Sequence, residues 1–164
     1  MKWNFKSLVK EIVIGAILLF IFTNIISYLR KPELLSTQLP HLEVQLLDGS
    51  TYSPKEGKPF IVHFWATWCP TCKLEASNIE SVSKEYEVLT IAVNSGDNAK
   101  IKAYMDERDL RFRVVNDSDG KWAKQFNVEA YPTTLIYDTK GVLQFIEVGY
   151  TTTVGLLARG KMCE

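Results

Sequence analysis

Two cysteines separated by two residues, in Trp68-Cys69-Pro70-Thr71-Cys72, are the residues of this chain whose type and spacing most directly specify chemistry. They follow an apolar run, Phe60-Ile61-Val62-His63-Phe64-Trp65-Ala66, that predicts a buried strand. If the second thiol enters the first turn of a helix, this spacing brings both sulfurs within bonding distance. A disulfide can then open and close without refolding the domain. Unsatisfied N–H groups at a helix N-terminus favour thiolate over thiol, so Cys69 is the expected nucleophile. Cys72, one turn in, is the expected resolving thiol, which closes the disulfide and expels a partner from a mixed disulfide. A zinc knuckle would need a second ligand pair, and only Cys163, His41 and His63 remain, none paired at metal-ligand spacing. A static structural disulfide would gain little stability from closing so short a loop. Binding of Cu(I), a soft ion suited to two thiolates, stands as the alternative from a different functional class.

The elements that must position this pair can be read along the chain. Val44 to Leu47, a turn at Asp48-Gly49 and Thr51 to Ser53 predict a small hairpin, and Gly57-Lys58-Pro59 punctuates before the strand at 60–66. Spaced apolar residues at Leu74, Ile79, Val82 and Tyr86 predict a helix over 73–86. The β-branched run 88–93 predicts a central strand covered on both faces. Asp97 can cap a helix through about Arg108. A strand at 112–115 and a short helix at 119–126 follow. Strands at 133–137 and 142–148 are separated by the turn Asp138-Thr139-Lys140-Gly141, and 152–161 closes the chain as a helix. This order predicts an α/β domain, a mixed sheet with helices on both faces.

Ahead of that domain the chain is uncharged from Ile12 to Leu29. At about 1.5 Å per residue such a helix spans roughly 27 Å, against a bilayer core of about 30 Å. Lys2, Lys6 and Lys10 precede the run, and Arg30 and Lys31 follow it. The exit, Ile26-Ser27-Tyr28-Leu29-Arg30, offers no small-x-small cleavage site, which favours an uncleaved signal anchor over a removed signal peptide. The expected organisation is a signal anchor over 1–31 with a transmembrane helix at about 12–29, a tether over 32–40 and one domain over 41–164. The short N-terminal arm is the segment easiest to retain inside, so the C-terminal part would be exported. Residues 1–31 carry five Lys/Arg and one Asp/Glu, and residues 32–164 carry fourteen and eighteen, so the overall neutrality averages two unlike pieces. No basic stripe in the folded part calls for nucleic acid.

Tyr131-Pro132-Thr133 stands just before a predicted apolar strand, where a proline would remove a ladder hydrogen bond and where a cis peptide bond is invited. With this segment added to the cysteine pair, the chain resembles the thioredoxin superfamily. The anchor, Gly57-Lys58-Pro59, the run from Phe64 to Cys72, Glu75, the inserted segment around 97–115 and Tyr131-Pro132-Thr133 together look like the membrane-anchored TlpA/ResA/DsbE group, closest to its ScsD-like branch. The resemblance covers nearly all of 40–160. It implies a thioredoxin-like fold and a Cys-Pro-Thr-Cys active site, with Cys69 as nucleophile, Cys72 as resolving thiol and Pro132 as the cis-proline. Tyr131, Pro132, Thr133 and Trp68 would contact substrate.

The implied activity is thiol–disulfide exchange on exported proteins, commonly as a reductase. No cofactor would be needed. The enzyme would be recharged by a membrane electron donor of the DsbD/CcdA type, and the protein would be held by its N-terminal helix in the bacterial cytoplasmic membrane with the catalytic domain outside. Two positions depart from the family pattern. His63 stands where thioredoxins carry a buried Asp, and Ser77 where a Pro often follows the motif Glu. His63 is either a hidden base near Cys72 or a satisfied, partly buried histidine. Glu75 either tunes the thiols or is a first-turn carboxylate favoured by the helix dipole. A peroxidase reading lacks the Thr-x-x-Cys arrangement, because position 66 is Ala. Cys163 is expected to be a stray thiol.

Overall fold

The computed structural model describes residues 5–29 and 36–164, the side chains of 5–8, 23–24 and 26–29 excepted, and the chain divides into two units, Met1–Lys31 and Pro32–Glu164. In the first, Phe5–Leu29 forms α1, a 25-residue helix whose apolar side chains from Ile12 to Phe22, and Ile25, are exposed. Among the described residues no helix is long and apolar enough to cross a membrane. The expectation of a transmembrane span over 12–29 is therefore not met there.

The second unit is built around a run with no polar alternation. Phe60–Trp65 forms β3, buried at every position, as a strand covered on both faces must be. It is the middle strand of a five-stranded sheet. On one side it pairs in parallel with β4 (Glu87–Val93), which pairs in parallel with β5 (Arg113–Asp117). On the other it pairs antiparallel with β6 (Thr133–Tyr137), which pairs with β7 (Leu143–Val148). A separate hairpin, β1 (Val44–Gln45) and β2 (Thr51–Tyr52), turns through Gly49 at φ +84°.

Alternation along β3 assigns its side chains to two cores. Ile61 and Trp65 join one that contains Cys69, Cys72, Ala76 and Ile79, the last three on α2 (Pro70–Val82), with Ile101 of α3 (Asn98–Glu107) and Leu156 of α5 (Thr153–Met162). Phe60, Val62 and Phe64 join the other, with Leu89, Ile91, Leu135, Phe126 and Ala123 of α4 (Lys121–Gln125). This is the expected mixed sheet covered on both faces.

Residues 37–39, within the expected tether, pair with the β6–β7 turn. Leu39 N donates to Gly141 O at 2.8 Å and Leu143 N to Thr37 O at 2.7 Å. The chain thus enters beside the C-terminal end of β6, whereas the cysteine pair lies past the C-terminal end of the antiparallel β3, at the opposite end of the sheet.

The helix α5 closes on α2 through a glycine. A Cβ at Gly160 would lie 2.7 Å from the ring of Tyr86, which follows α2. Gly160→Ala gains about 1 kcal/mol of helix propensity but meets overpacking of about 1–3 kcal/mol. The expected result is a lowered thermal midpoint, read by circular dichroism, with the native fold retained.

Candidate active site

The turn after β3 delivers Cys69 to the N-cap position of α2, with backbone φ −82° and ψ 116° and Pro70 as the first helical residue. Pro costs nothing there, since its missing N–H would have had no partner. Cys69 and Cys72 are joined as a disulfide with their Cα atoms 5.3 Å apart, and Cys69 Sγ accepts from Cys72 N at 3.2 Å. The sulfur itself thus caps the helix and faces its positive end. Both sulfur-bearing residues are buried.

Against this disulfide lies the loop before β6. The Tyr131–Pro132 peptide bond is cis, and Tyr131 O lies 3.6 Å from Cys69 Sγ. Thr133 Oγ1 donates to Ala130 O at 2.8 Å, and Gly149 N donates to Pro132 O at 2.8 Å. The loop is therefore tied to both β6 and the exit of β7. Trp68 stands beside Cys69 with 56% of its surface exposed, edge-on to Tyr131 with ring centroids 5.9 Å apart. Its indole N–H donates to Asn94 O at 3.1 Å, and the preceding Thr67 N donates to Ser95 Oγ at 3.0 Å. The structure thus brings Cys69, Cys72, Trp68, Tyr131, Pro132 and Thr133 together at one end of the sheet.

Glu75 lies one turn beyond Cys72 on the same buried helix face and is 0% exposed. Its Oε1 accepts from Thr151 N at 2.9 Å, while Oε2 is buried without a partner. Burial pushes the carboxyl up to about 8. The Thr151 bond opposes this shift and the Glu147 carboxylate adds to it. An ion pair with Arg159 at 2.8 Å occupies Glu147. Glu75 is therefore protonated over much of the neutral range, a buried acid one turn from Cys72.

His63 is buried in the middle of β3, on the strand face of Ile61 and Trp65, and its Nδ1 lies 2.9 Å from Thr134 Oγ1 on the adjacent β6. Burial holds its imidazole far below the ordinary value, at about 3. It stays neutral at physiological pH and is the weaker proton acceptor of the two groups. Cys163 is an unpaired thiol buried at the C-cap of α5, and burial pushes its pKa up.

Four contributors went unread in the sequence: Asn94, Ser95, Thr134 and Thr151. Ser95 and Thr134 are buried polar residues, and Ser95 follows the apolar run 88–93, which was the available signal. Asn94 and Thr151 act through backbone groups that carry no side-chain signature.

Comparison with known proteins bears on this geometry. The AhpC/TSA family model matches residues 35–146. A thioredoxin-like protein of Haemophilus influenzae is 30% identical over 158 residues, covering 94% of this chain and 93% of its own length. The thioredoxin-like protein YneN of Bacillus subtilis is 38% identical over 123 residues, 70% of this chain and 72% of its own. Among solved structures, a thiol:disulfide interchange protein of the thioredoxin family from Chlorobium tepidum superposes with a TM-score of 0.70 at 26% identity, covering 77% of this chain and 95% of that one.

Proposed function

From a chain that belongs to the AhpC/TSA family and, within its thioredoxin-like members, to the TlpA/ResA/DsbE-like thiol–disulfide oxidoreductases, we infer a protein-disulfide reductase that works outside the cytoplasmic membrane and is tethered to it. The enzyme class is protein-disulfide oxidoreductase. The observation that carries the site assignment is the Cys69–Cys72 disulfide capping α2 against the Tyr131–Pro132 loop.

In the reduced enzyme, the Cys69 thiolate attacks one sulfur of a client disulfide. The client S–S bond breaks, its second sulfur leaves as a thiolate, and a mixed disulfide forms. Where Glu75 is ionised, its carboxylate takes the Cys72 proton, and the Cys72 thiolate attacks Cys69 Sγ. The mixed disulfide breaks, the client leaves with both sulfurs reduced, and the enzyme is left in the disulfide form. Two electrons pass to the client in each cycle. A membrane donor of the DsbD/CcdA type returns them. Trp68 and Tyr131 flank the attacked sulfur, and the backbone of Tyr131 and Thr133 meets an extended client segment.

Anchoring is supported by the uncharged run 12–29, by the helix Phe5–Leu29 with its exposed apolar side chains, and by the cations on both flanks. The chain enters the catalytic unit at the end of the sheet away from the disulfide. The decisive experiment expresses Cys72→Ser and captures what remains attached to Cys69. Exported proteins released by reductant are the expected result. An empty trap in cells, together with a measured potential near the about −120 mV of DsbA-type oxidants, would overturn the reductase reading.

A further inference from the structure

We propose that Ser95 is a positioning residue of this site: its hydroxyl, through Thr67, holds Trp68 as a fixed wall against which the segment flanking a client's disulfide is laid. The proposal rests on the exchange reading of the Cys69–Cys72 pair and names a determinant of which clients that pair accepts.

An exposed tryptophan on a connecting turn ordinarily samples several rotamers, and ordering it on binding costs affinity. Here that cost is already met within the fold. Ser95 is 1% exposed and lies just past the end of β4, the parallel neighbour of β3. Its Oγ accepts from Thr67 N at 3.0 Å and donates to Val93 O at 3.1 Å. Thr67 Oγ1 returns a longer bond, 3.4 Å, to Ser95 O. The next residue back, Asn94, takes the left-handed backbone at φ 46°, and its carbonyl accepts the indole N–H of Trp68 at 3.1 Å.

Two consecutive residues of the β4 exit therefore hold two consecutive residues of the turn into Cys69. The indole also meets the Tyr131 ring at 84°, so Trp68 is held by its N–H and by its neighbour while 56% of its surface stays exposed. A flat, immobile aromatic face beside the reacting sulfur suits an apolar or aromatic side chain next to the client's cysteine. It offers nothing to a small disulfide without such a side chain.

The test uses the full chain, reduced beforehand, and two probes in single-turnover exchange: insulin, whose disulfides sit in a folded protein, and hydroxyethyl disulfide, which has no side chain to rest on Trp68. Ser95→Ala is expected to slow exchange with insulin about tenfold more than exchange with hydroxyethyl disulfide, as loss of one ordered aromatic contact would. Ser95→Thr, which restores the hydroxyl, is expected to recover most of the insulin rate. In a Trp68→Ala background the selective loss from Ser95→Ala is expected to vanish, because the two residues act as one unit. Equal slowing with both probes, or a Ser95→Ala effect that persists undiminished without Trp68, would reduce Ser95 to a satisfied buried hydroxyl and overturn the proposal. A wild-type protein that exchanges with neither probe would instead overturn the exchange reading on which it rests.

Discussion

Cys69→Ala is expected to abolish disulfide exchange, with a loss on the order of 10³-fold or more in the rate of insulin reduction, while Cys72→Ala keeps the first half of the reaction. The asymmetry follows from position. Cys69 Sγ caps α2, accepts the Cys72 N–H and lies against Tyr131 O, where an arriving client would meet it. As a thiolate it would retain that N–H bond and the field of the helix N-terminus, both of which stabilise negative charge. Both residues are nearly covered in the disulfide form, Cys69 at 5% and Cys72 at 2%, but Cys69 stands at the N-cap against the Tyr131–Pro132 loop and Cys72 within the helix. Cys72 is therefore not expected to replace Cys69 as the attacking group. Without Cys72, attack by Cys69 proceeds once, and the mixed disulfide waits for an external thiol. Stopped-flow measurements should therefore show a burst of one equivalent for Cys72→Ala and none for Cys69→Ala. A burst from Cys69→Ala would reverse the two roles.

The parts of this site that were legible in the sequence are those encoded locally. Phe60–Trp65 reads as a buried strand because every position is apolar except His63, and the two-residue spacing of the thiols needs only a helix start to become a redox pair. The spacing of apolar residues reads the helix from 73, whereas the thiol pair calls for a start at Cys69; α2 begins at Pro70, capped by a cysteine sulfur and not by one of the usual Ser, Thr, Asp or Asn oxygens. The helix expected over 119–126 begins at Lys121, because the buried Asp117 carboxylate accepts from Trp122 N and Ala123 N while Gly120 turns the chain at φ +70°.

What could not be read depends on register between distant strands. Pairing of His63 with Thr134 across β3 and β6 gives the histidine its partner. The alignment of Trp65 with Ala92 across β3 and β4 brings Thr67 to Ser95. A period-2 pattern fixes which face a residue takes but not which residue lies opposite it. The same limit hid the bond from Thr151 to Glu75, which joins residues 76 apart in the chain.

Glu75→Gln is expected to change both the stability profile and the exchange profile in pH, and the two changes have separate signs. In the folded protein the carboxyl is raised to about 8 from an ordinary 4.5 by burial. Below about 4.5 it is protonated whether folded or unfolded and contributes no pH dependence. Between 4.5 and 8 the unfolded chain releases the proton and the folded chain keeps it, so this group lowers stability as pH rises, by about 1.4 kcal/mol per unit at most. Above 8 the penalty is constant. The amide that replaces the carboxyl is uncharged throughout, so denaturant titrations of the variant should lose that decline and show a gain at pH 8 on the order of a few kcal/mol.

His63 works at the other end of the scale. Its folded value near 3 lies below the unfolded 6.5, so its contribution is present above 6.5 and is lost as pH falls toward 3. His63→Asn should flatten only that acid limb. Exchange separates the two groups further. A carboxyl that titrates near 8 can accept the Cys72 proton and release it within the working range, whereas an imidazole that titrates near 3 stays neutral there. Glu75→Gln should therefore slow resolution of the mixed disulfide on the order of 10²-fold and remove the limb of the rate profile near pH 8. His63→Asn should leave that limb at the same pH. If the limb moves with His63 and not with Glu75, the proton passes through the strand and Thr134 instead of along the buried face of α2.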